Sequence, residues 1–353
     1  MKKNIIWILI FVLLVGLGWW GIYKFWPVKN PLGLGKNVEI GGVDYSKYDF
    51  DSLKERYNNN DEMGDKTGEV LRYAQDDFGL KIEDRIEEVD LRRKNLGYTT
   101  DEYGFDSRQI SFLSQGKKIS GMINYQPWKS SKSLVVIMVR GYAEKEDYYP
   151  GSGTWRVADQ LAKAGYITIS LDFLGFGESD GESTDNLEAR FEKVVSLLDL
   201  MAIVEDLPYV DKNNISFWAH SNGGQIVLSV LEVTGGNYPT VLWAPMTNPF
   251  PKSVLSTIEE DSQVKADIES FMKYYDERRY AFENYYSWIN GPVLILQGDN
   301  DSWCEVEWQE KVVGDMVSLG KKAELIVMSG ADHNMAGKWE EAVEESIDWF
   351  SLW

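Results

Sequence analysis

A chain of 353 residues, 44% hydrophobic and 13% aromatic, carries enough apolar side chains for a substantial core, which excludes a globally disordered protein. A formal net charge of -20 argues against nucleic acid as a partner, because phosphate binding needs clustered Lys and Arg; the acidity reads as a well-hydrated surface and leaves room for a cationic substrate. The single cysteine, Cys304, excludes an internal disulfide, and with only His220 and His333 beside it a His/Cys zinc site is not expected.

Residues 5 to 23, "IIWILIFVLLVGLGWWGIY", contain 19 residues without a charge. As a helix they would span about 28 Å at ~1.5 Å per residue, close to a bilayer core of roughly 30 Å. Lys2 and Lys3 precede the run, and Trp19, Trp20, Tyr23 and Trp26 fall where an interfacial aromatic belt would lie. A cleaved signal peptide is the alternative, but its apolar core is usually shorter and leaves through small residues, whereas this one leaves through "WWGIYKFWPVKN". The expectation is therefore an uncleaved, single-pass N-terminal anchor. Lys24, Lys29 and Lys36 nearly balance the charges before the run; the default orientation puts the rest of the chain outside the cytoplasm.

Residues 1–36 thus read as anchor and linker, with Pro and Gly breaking regular structure in "PVKNPLGLGKN". Residues 37–105 read as a charged extension with helical pieces at "DSLKERY" and "EVLRYAQDDFGLKIEDRIEEV"; they carry no evident chemistry and serve either to pack on the main domain or as a spacer. From 106 to 353 the pattern becomes regular. "RQISFL" and "KKISGMINY" form an antiparallel pair turned at "SQGK". Short, almost wholly apolar runs come next at 133–139, 166–172, 214–219, 239–244, 292–297 and 323–328, the signature of strands buried on both faces. Helical stretches separate most of them, at about 152–165, 186–206, 223–233, 304–319 and 337–352. The alternation predicts an α/β fold: a mostly parallel sheet with helices on both faces and functional groups at the carboxyl ends of its strands. The connection 246–290 is too long for a simple crossover and predicts a small helical lid, whose Tyr274, Tyr275, Tyr285, Tyr286 and Trp288 would shape a closed pocket.

Two serines compete as nucleophile. "GESDG" centres Ser179 in the G-x-S-x-G pattern, but in a loop with no helix opening behind it. "AHSNGG" centres Ser221 between the strand "NISFWA" and the helix "GGQIVLSVLEV", a strand–serine–helix elbow that lifts a hydroxyl above the sheet edge. The helix start would direct backbone N–H groups at developing negative charge. A serine also needs a base. His220 is adjacent in sequence and should point elsewhere, in a packing or supporting role. That leaves His333, in the loop after the last strand. The loop "GDNDSW" offers two carboxylates, Asp299 and Asp301, which periodicity cannot separate in an irregular turn.

Taken in order, "VVIMVRGY", "LDFLGFGESDG", "AHSNGG", "LQGDNDSW" and "SGADHNM" resemble the α/β-hydrolase superfamily, in its prolyl-oligopeptidase-like and esterase branch, over roughly residues 108–353. The resemblance implies a serine hydrolase with a Ser–His–Asp triad. It places the acid three residues after the loop glycine, so the triad would be Ser221, His333 and Asp301. It also implies an oxyanion hole at Tyr142 and Asn222, with Tyr142 donating through its backbone N–H or its hydroxyl. Two positions depart from the pattern: Ala219 stands for a glycine at the elbow, and Arg140 for the histidine before the oxyanion glycine. The expected protein is a membrane-anchored hydrolase of small acyl esters or short peptides, needing no cofactor or metal. A catalytically inactive binding module and an acyltransferase are the other readings open to the sequence.

Overall fold

A computed structural model of the chain describes residues 38–58, 80–83, 86–126, 133–207, 210–258 and 262–353. The apolar run at 5–23 lies outside them. Among the described residues no helix is long and apolar enough to cross a membrane.

A two-residue hairpin opens the described chain, β1 (Glu39–Ile40) with β2 (Val43–Asp44). Among the described residues nine further strands form one sheet. They are β3 (Leu80–Ile82), β4 (Asp106–Ser114), β5 (Lys117–Tyr125), β6 (Ser133–Val139), β7 (Ile167–Leu171), β8 (Val210–His220), β9 (Thr240–Trp243), β10 (Val293–Gly298) and β11 (Ala323–Met328). Their order is β11-β10-β9-β8-β6-β7-β5-β4-β3. From β7 to β11 the pairings are parallel; β3, β4 and β5 are antiparallel. The β4–β5 turn is tight because Gln115 and Gly116 both take positive φ, 52° and 77°, matching the right-handed twist of the flanking strands. Where the charge pattern suggested helix, Leu80–Ile82 instead pair with Phe112, Ser111 and Ile110 at the sheet edge. Strand formation there depends on a distant partner, which local propensity does not register.

Alternation within the strands divides the core. Val135, Ile137 and Val139 of β6 face one apolar layer, Val136 and Met138 the other. The first layer lies under α1 (Phe50–Asn58), α4 (Asn186–Asp206), α5 (Asn222–Thr234), α6 (Gln263–Tyr274) and α7 (Val306–Ser318). The second lies under α2 (Glu87–Asn95), α3 (Trp155–Lys163) and α8 (Trp339–Ser351). Helices thus cover both faces, as a mostly parallel sheet requires.

The N-terminal extension packs on this body. Arg93 of α2 donates to Asp159 of α3 at 2.8 and 2.6 Å, both side chains buried. Tyr45 donates to Asp185, which caps α4, Tyr48 donates to Glu188 in its first turn, and Phe50 stacks on Tyr285 at 4.5 Å. Residues 38–58 therefore bridge α4 and the 246–290 connection. That connection contains α6 and short 3-10 turns at Glu277–Tyr280, Phe282–Asn284 and Tyr286–Trp288.

Candidate active site

Strand β8 ends at His220, α5 begins at Asn222, and Ser221 between them has φ 52° and ψ -122°. A serine in that region costs about 1–3 kcal/mol and persists only where its surroundings hold it. Here Ser221 N–H donates to the Trp243 carbonyl at 3.0 Å, and its own carbonyl accepts from Gly224 and Met246, both at 2.9 Å. Small neighbours allow the turn. A Cβ on Gly223 would sit 2.3 Å from the Val139 carbonyl oxygen, and one on Gly141 would sit 2.8 Å from the Ser221 Cβ. The first closeness brings α5 onto the end of β6; the second brings the turn after β6 against the serine.

The loops after β10 and β11 meet beside this elbow. His333 Nδ1–H donates to Asp301 Oδ2 at 2.8 Å. That bond fixes the tautomer and leaves Nε2 as the acceptor nitrogen. The Asp301 carboxylate is fully enclosed. It also accepts from Gln297 Nε2 and from the amides of Trp303 and Cys304, at 3.0, 2.7 and 3.1 Å. Burial pushes its pKa up, but His333 and these donors outweigh it and hold the carboxyl below the ordinary carboxylate value. Asp299 is turned away and accepts from Ser329 Oγ and Gly330 N–H. Among the described residues no hydrogen bond joins the Ser221 hydroxyl to His333. In free enzymes such bonds often tighten only around substrate.

His220 ties the two parts together. Its Nε2 lies 2.9 Å from the His333 carbonyl oxygen and its ring centroid 4.8 Å from that of His333. Burial lowers its pKa to about 4, so it is the neutral donor. A folded pKa below the unfolded value of about 6.5 means the unfolded chain binds more protons between about pH 4 and 6.5, so this group's contribution to stability rises with pH across that window. In urea titrations at pH 7 and pH 4.5, His220→Gln should lose less stability on acidification than the parent. An equal or larger loss would show that His220 is not held neutral.

The turn after β6 forms the opposite wall. Arg140 is buried and donates to the Gly141 carbonyl and the Asp172 carbonyl, both at 2.8 Å, and to Tyr148 Oη at 3.0 Å. Its guanidinium lies 4.1 Å from the Phe176 ring centroid. Arg140 thus fixes the backbone that carries the Tyr142 N–H. Tyr142 is 78% exposed, so its side chain is not packed into the site. Asn222, at the first turn of α5, accepts through Oδ1 from Gln225 Nε2. Gly141, Tyr142 and Asn222 share an open cleft of about 330 Å³ with Phe173, Phe176 and Lys193. Ser179 lies outside the cleft, its Oγ accepting from the Ser120 N–H at 2.9 Å.

Sequence reasoning flagged Arg140 only as a departure and passed over Gln297, whose amide reaches Asp301 and the Cys304 carbonyl. The available signal was a polar residue closing the apolar run "PVLILQ". The five aromatics expected to shape a pocket line neither of the two cavities that adjoin Asn222. Tyr286 is buried, Tyr274 is exposed, and Tyr275 packs on Phe271. Phe250, Tyr280 and Phe282 line the apolar pocket instead, with Tyr48, Phe50 and Leu53 from the N-terminal extension. Asp301, Cys304 and His333 hold possible ligand atoms within 4.8 Å of one another. Burial pushes the Cys304 thiol up to about 12, and Asp301 is committed to His333 and two amides, so the trio suits proton handling better than cation binding.

The sheet order, the serine elbow and the acid and histidine loops define a serine hydrolase of the α/β-hydrolase class. Residues 154–353, more than half of the chain, match the prolyl oligopeptidase family, and the chain belongs to that family. Solved structures share the fold. An esterase from Pyrococcus furiosus superposes with a TM-score of 0.55 at 18% identity, covering 73% of this chain and 96% of that one. A putative dipeptidyl aminopeptidase IV from Bacteroides ovatus superposes at 0.55 and 17%, covering 70% of this chain and 36% of that one. Est1E from Butyrivibrio proteoclasticus, solved with ferulic acid bound, superposes at 0.54 and 17%, covering 69% and 97%. An uncharacterised 31.7 kDa protein of Escherichia coli is 33% identical over 75 residues, which cover 20% of this chain and 24% of that protein.

Proposed function

We propose that this protein hydrolyses small acyl esters or short peptides through Ser221, His333 and Asp301, tethered to a membrane by residues 5–23. The observation that carries the reading is the strained Ser221 backbone at the head of α5, beside a histidine already oriented by a buried carboxylate. Ser221 Oγ attacks the carbonyl carbon while His333 Nε2 takes its proton. The tetrahedral oxyanion is held by the backbone N–H groups of Tyr142 and Asn222. Collapse expels the alcohol or amine, which receives the proton from His333, and leaves an acyl-enzyme on Ser221. Water, deprotonated by the same nitrogen, releases the acid. Asp301 keeps the imidazole in the required tautomer and stabilises the imidazolium.

The preference for small substrates is supported by the small apolar pocket, about 50 Å³, that adjoins Asn222 beside the cleft of about 330 Å³. In a panel of aryl esters and aminoacyl anilides, the short members should be turned over at least tenfold faster, in kcat/KM, than long-chain triglycerides or folded proteins. Comparable rates on the large substrates would overturn the assignment. The tether rests on the apolar run and its aromatic flank. Activity should stay with the membrane fraction through a carbonate wash; recovery of a soluble chain beginning near residue 27 would identify a cleaved signal instead.

A further inference from the structure

The surface of this chain is strongly acidic, yet α4 presents two cations that no carboxylate neutralises. Elsewhere Lys47, Arg56, Lys117 and Lys145 each pair with an acid. Arg190 donates only to neutral oxygens, Gln225 Oε1 and Ser253 Oγ, the latter at 2.9 Å. Lys193, three residues on and on the same face of the helix, has no hydrogen bond and no ion pair among the described residues.

Both cations border cavities lined by Asn222, the residue after Ser221. Lys193 lines the open cleft with Gly141, Tyr142 and Asn222. Arg190 and Lys193 also line the apolar pocket behind it, again with Asn222. The two spaces therefore meet at Asn222 and Lys193. Burial, with Arg190 and Arg140 nearby, lowers the Lys193 ammonium to about 8, and burial lowers Arg190 to about 10. Glu182 is the acid that acts on Lys193 from the same cleft, and its carboxylate is held by Lys145 at 2.6 Å. Glu144 and Glu146, exposed on the loop after Tyr142, line the same cleft, with Lys145 between them in sequence. Withdrawing a charge from water without a counter-ion is unfavourable, and the deficit is met when an anion enters. The surplus acids farther away are largely screened beyond about 8 Å at physiological ionic strength.

We propose that Arg190 and Lys193 form an anion subsite beside the oxyanion turn, which receives a carboxylate carried by the substrate within a few bonds of its scissile carbonyl. The proposal deepens the hydrolase reading and rests on it for the position of that carbonyl. The overall acidity left room for a cationic substrate; here the two uncompensated cations of α4, not the sum over the chain, set the preference.

The test is calorimetric titration of the full chain, in detergent, with glutarate and with its neutral diamide, glutaramide. Charge-assisted hydrogen bonds in a partly desolvated site should make glutarate bind at least tenfold more tightly than the diamide, with a preference that shrinks as salt rises. Lys193→Met and Arg190→Gln should each remove most of that preference, and Lys193→Arg should keep it, which separates loss of charge from loss of fold. Equal binding of the two probes by the parent, or a preference that survives both Lys193→Met and Arg190→Gln, would overturn the proposal. Binding needs no turnover. A chain that binds glutarate but hydrolyses nothing would refute the hydrolase reading alone; an active chain indifferent to glutarate would refute the subsite alone.

Discussion

Ser221→Ala should reduce kcat/KM on any turned-over ester by roughly 10⁴- to 10⁶-fold, as loss of the nucleophile does in other triads. The effect is large because nothing else can take its place. The backbone at φ 52° holds this one hydroxyl at the head of α5, between the Gly141 turn and the His333 loop. Removing Oγ leaves the Ser221 backbone bonds to Trp243, Gly224 and Met246 in place, so the thermal midpoint should move little. Ser179→Ala is the matched control. It deletes a loop bond to Ser120 and should retain most activity, at a modest cost in stability. Kinetics and melting curves for both variants decide the point. An inactive, folded Ser179→Ala beside a working Ser221→Ala would move the active site to the other loop.

Asp301→Asn should lower kcat by roughly 10⁴-fold while the fold persists. The asparagine oxygen can still accept from the Trp303 and Cys304 amides, which shape the loop. Its NH₂ would face His333 Nδ1 and Gln297 Nε2, both now donors to Asp301 Oδ2. To avoid opposing two donors the imidazole must move its proton to Nε2, the nitrogen that has to accept from Ser221. Asp299→Asn should leave kcat within about tenfold, because that carboxylate serves the Ser329–Gly330 turn and one oxygen can still accept there. The two kcat values, read with the thermal midpoints, separate a catalytic from a structural carboxylate. A large catalytic loss confined to Asp299→Asn would reverse their roles.

The sheet was legible because strands covered on both faces must be apolar throughout. "SLVVIMV" coincides with β6, buried in the middle of the sheet, residue for residue; "AELIVM" coincides with β11 as closely, although that edge strand is half exposed and was legible from its apolar, β-branched run. The elbow was legible for a related reason: a strand running into a helix through small residues leaves one turn geometry available, and Ser221 occupies it. What stayed hidden depends on contacts distant in sequence. Nothing local to Leu80–Ile82 indicates that β4 offers a free edge. Nothing around Tyr45, Tyr48 or Phe50 indicates that a charged extension closes a pocket against α4 and the 246–290 connection. Arg140 stood out in sequence only as a substitution; its role depends on Tyr148, Asp172 and Phe176, which loops and a neighbouring strand bring to it. Asp299 and Asp301 were inseparable by periodicity because a turn has none. Their separation comes from where the β11 loop delivers His333.

The placement of the nucleophile is tested most sharply by a mass-spectrometric map of the adduct formed when the full chain reacts with a fluorophosphonate. The expected product carries a single phosphonyl group on Ser221, absent after Ser221→Ala and formed much more slowly after Asp301→Asn. A stoichiometric adduct on Ser179, or an unlabelled protein that nevertheless turns over esters, would contradict it.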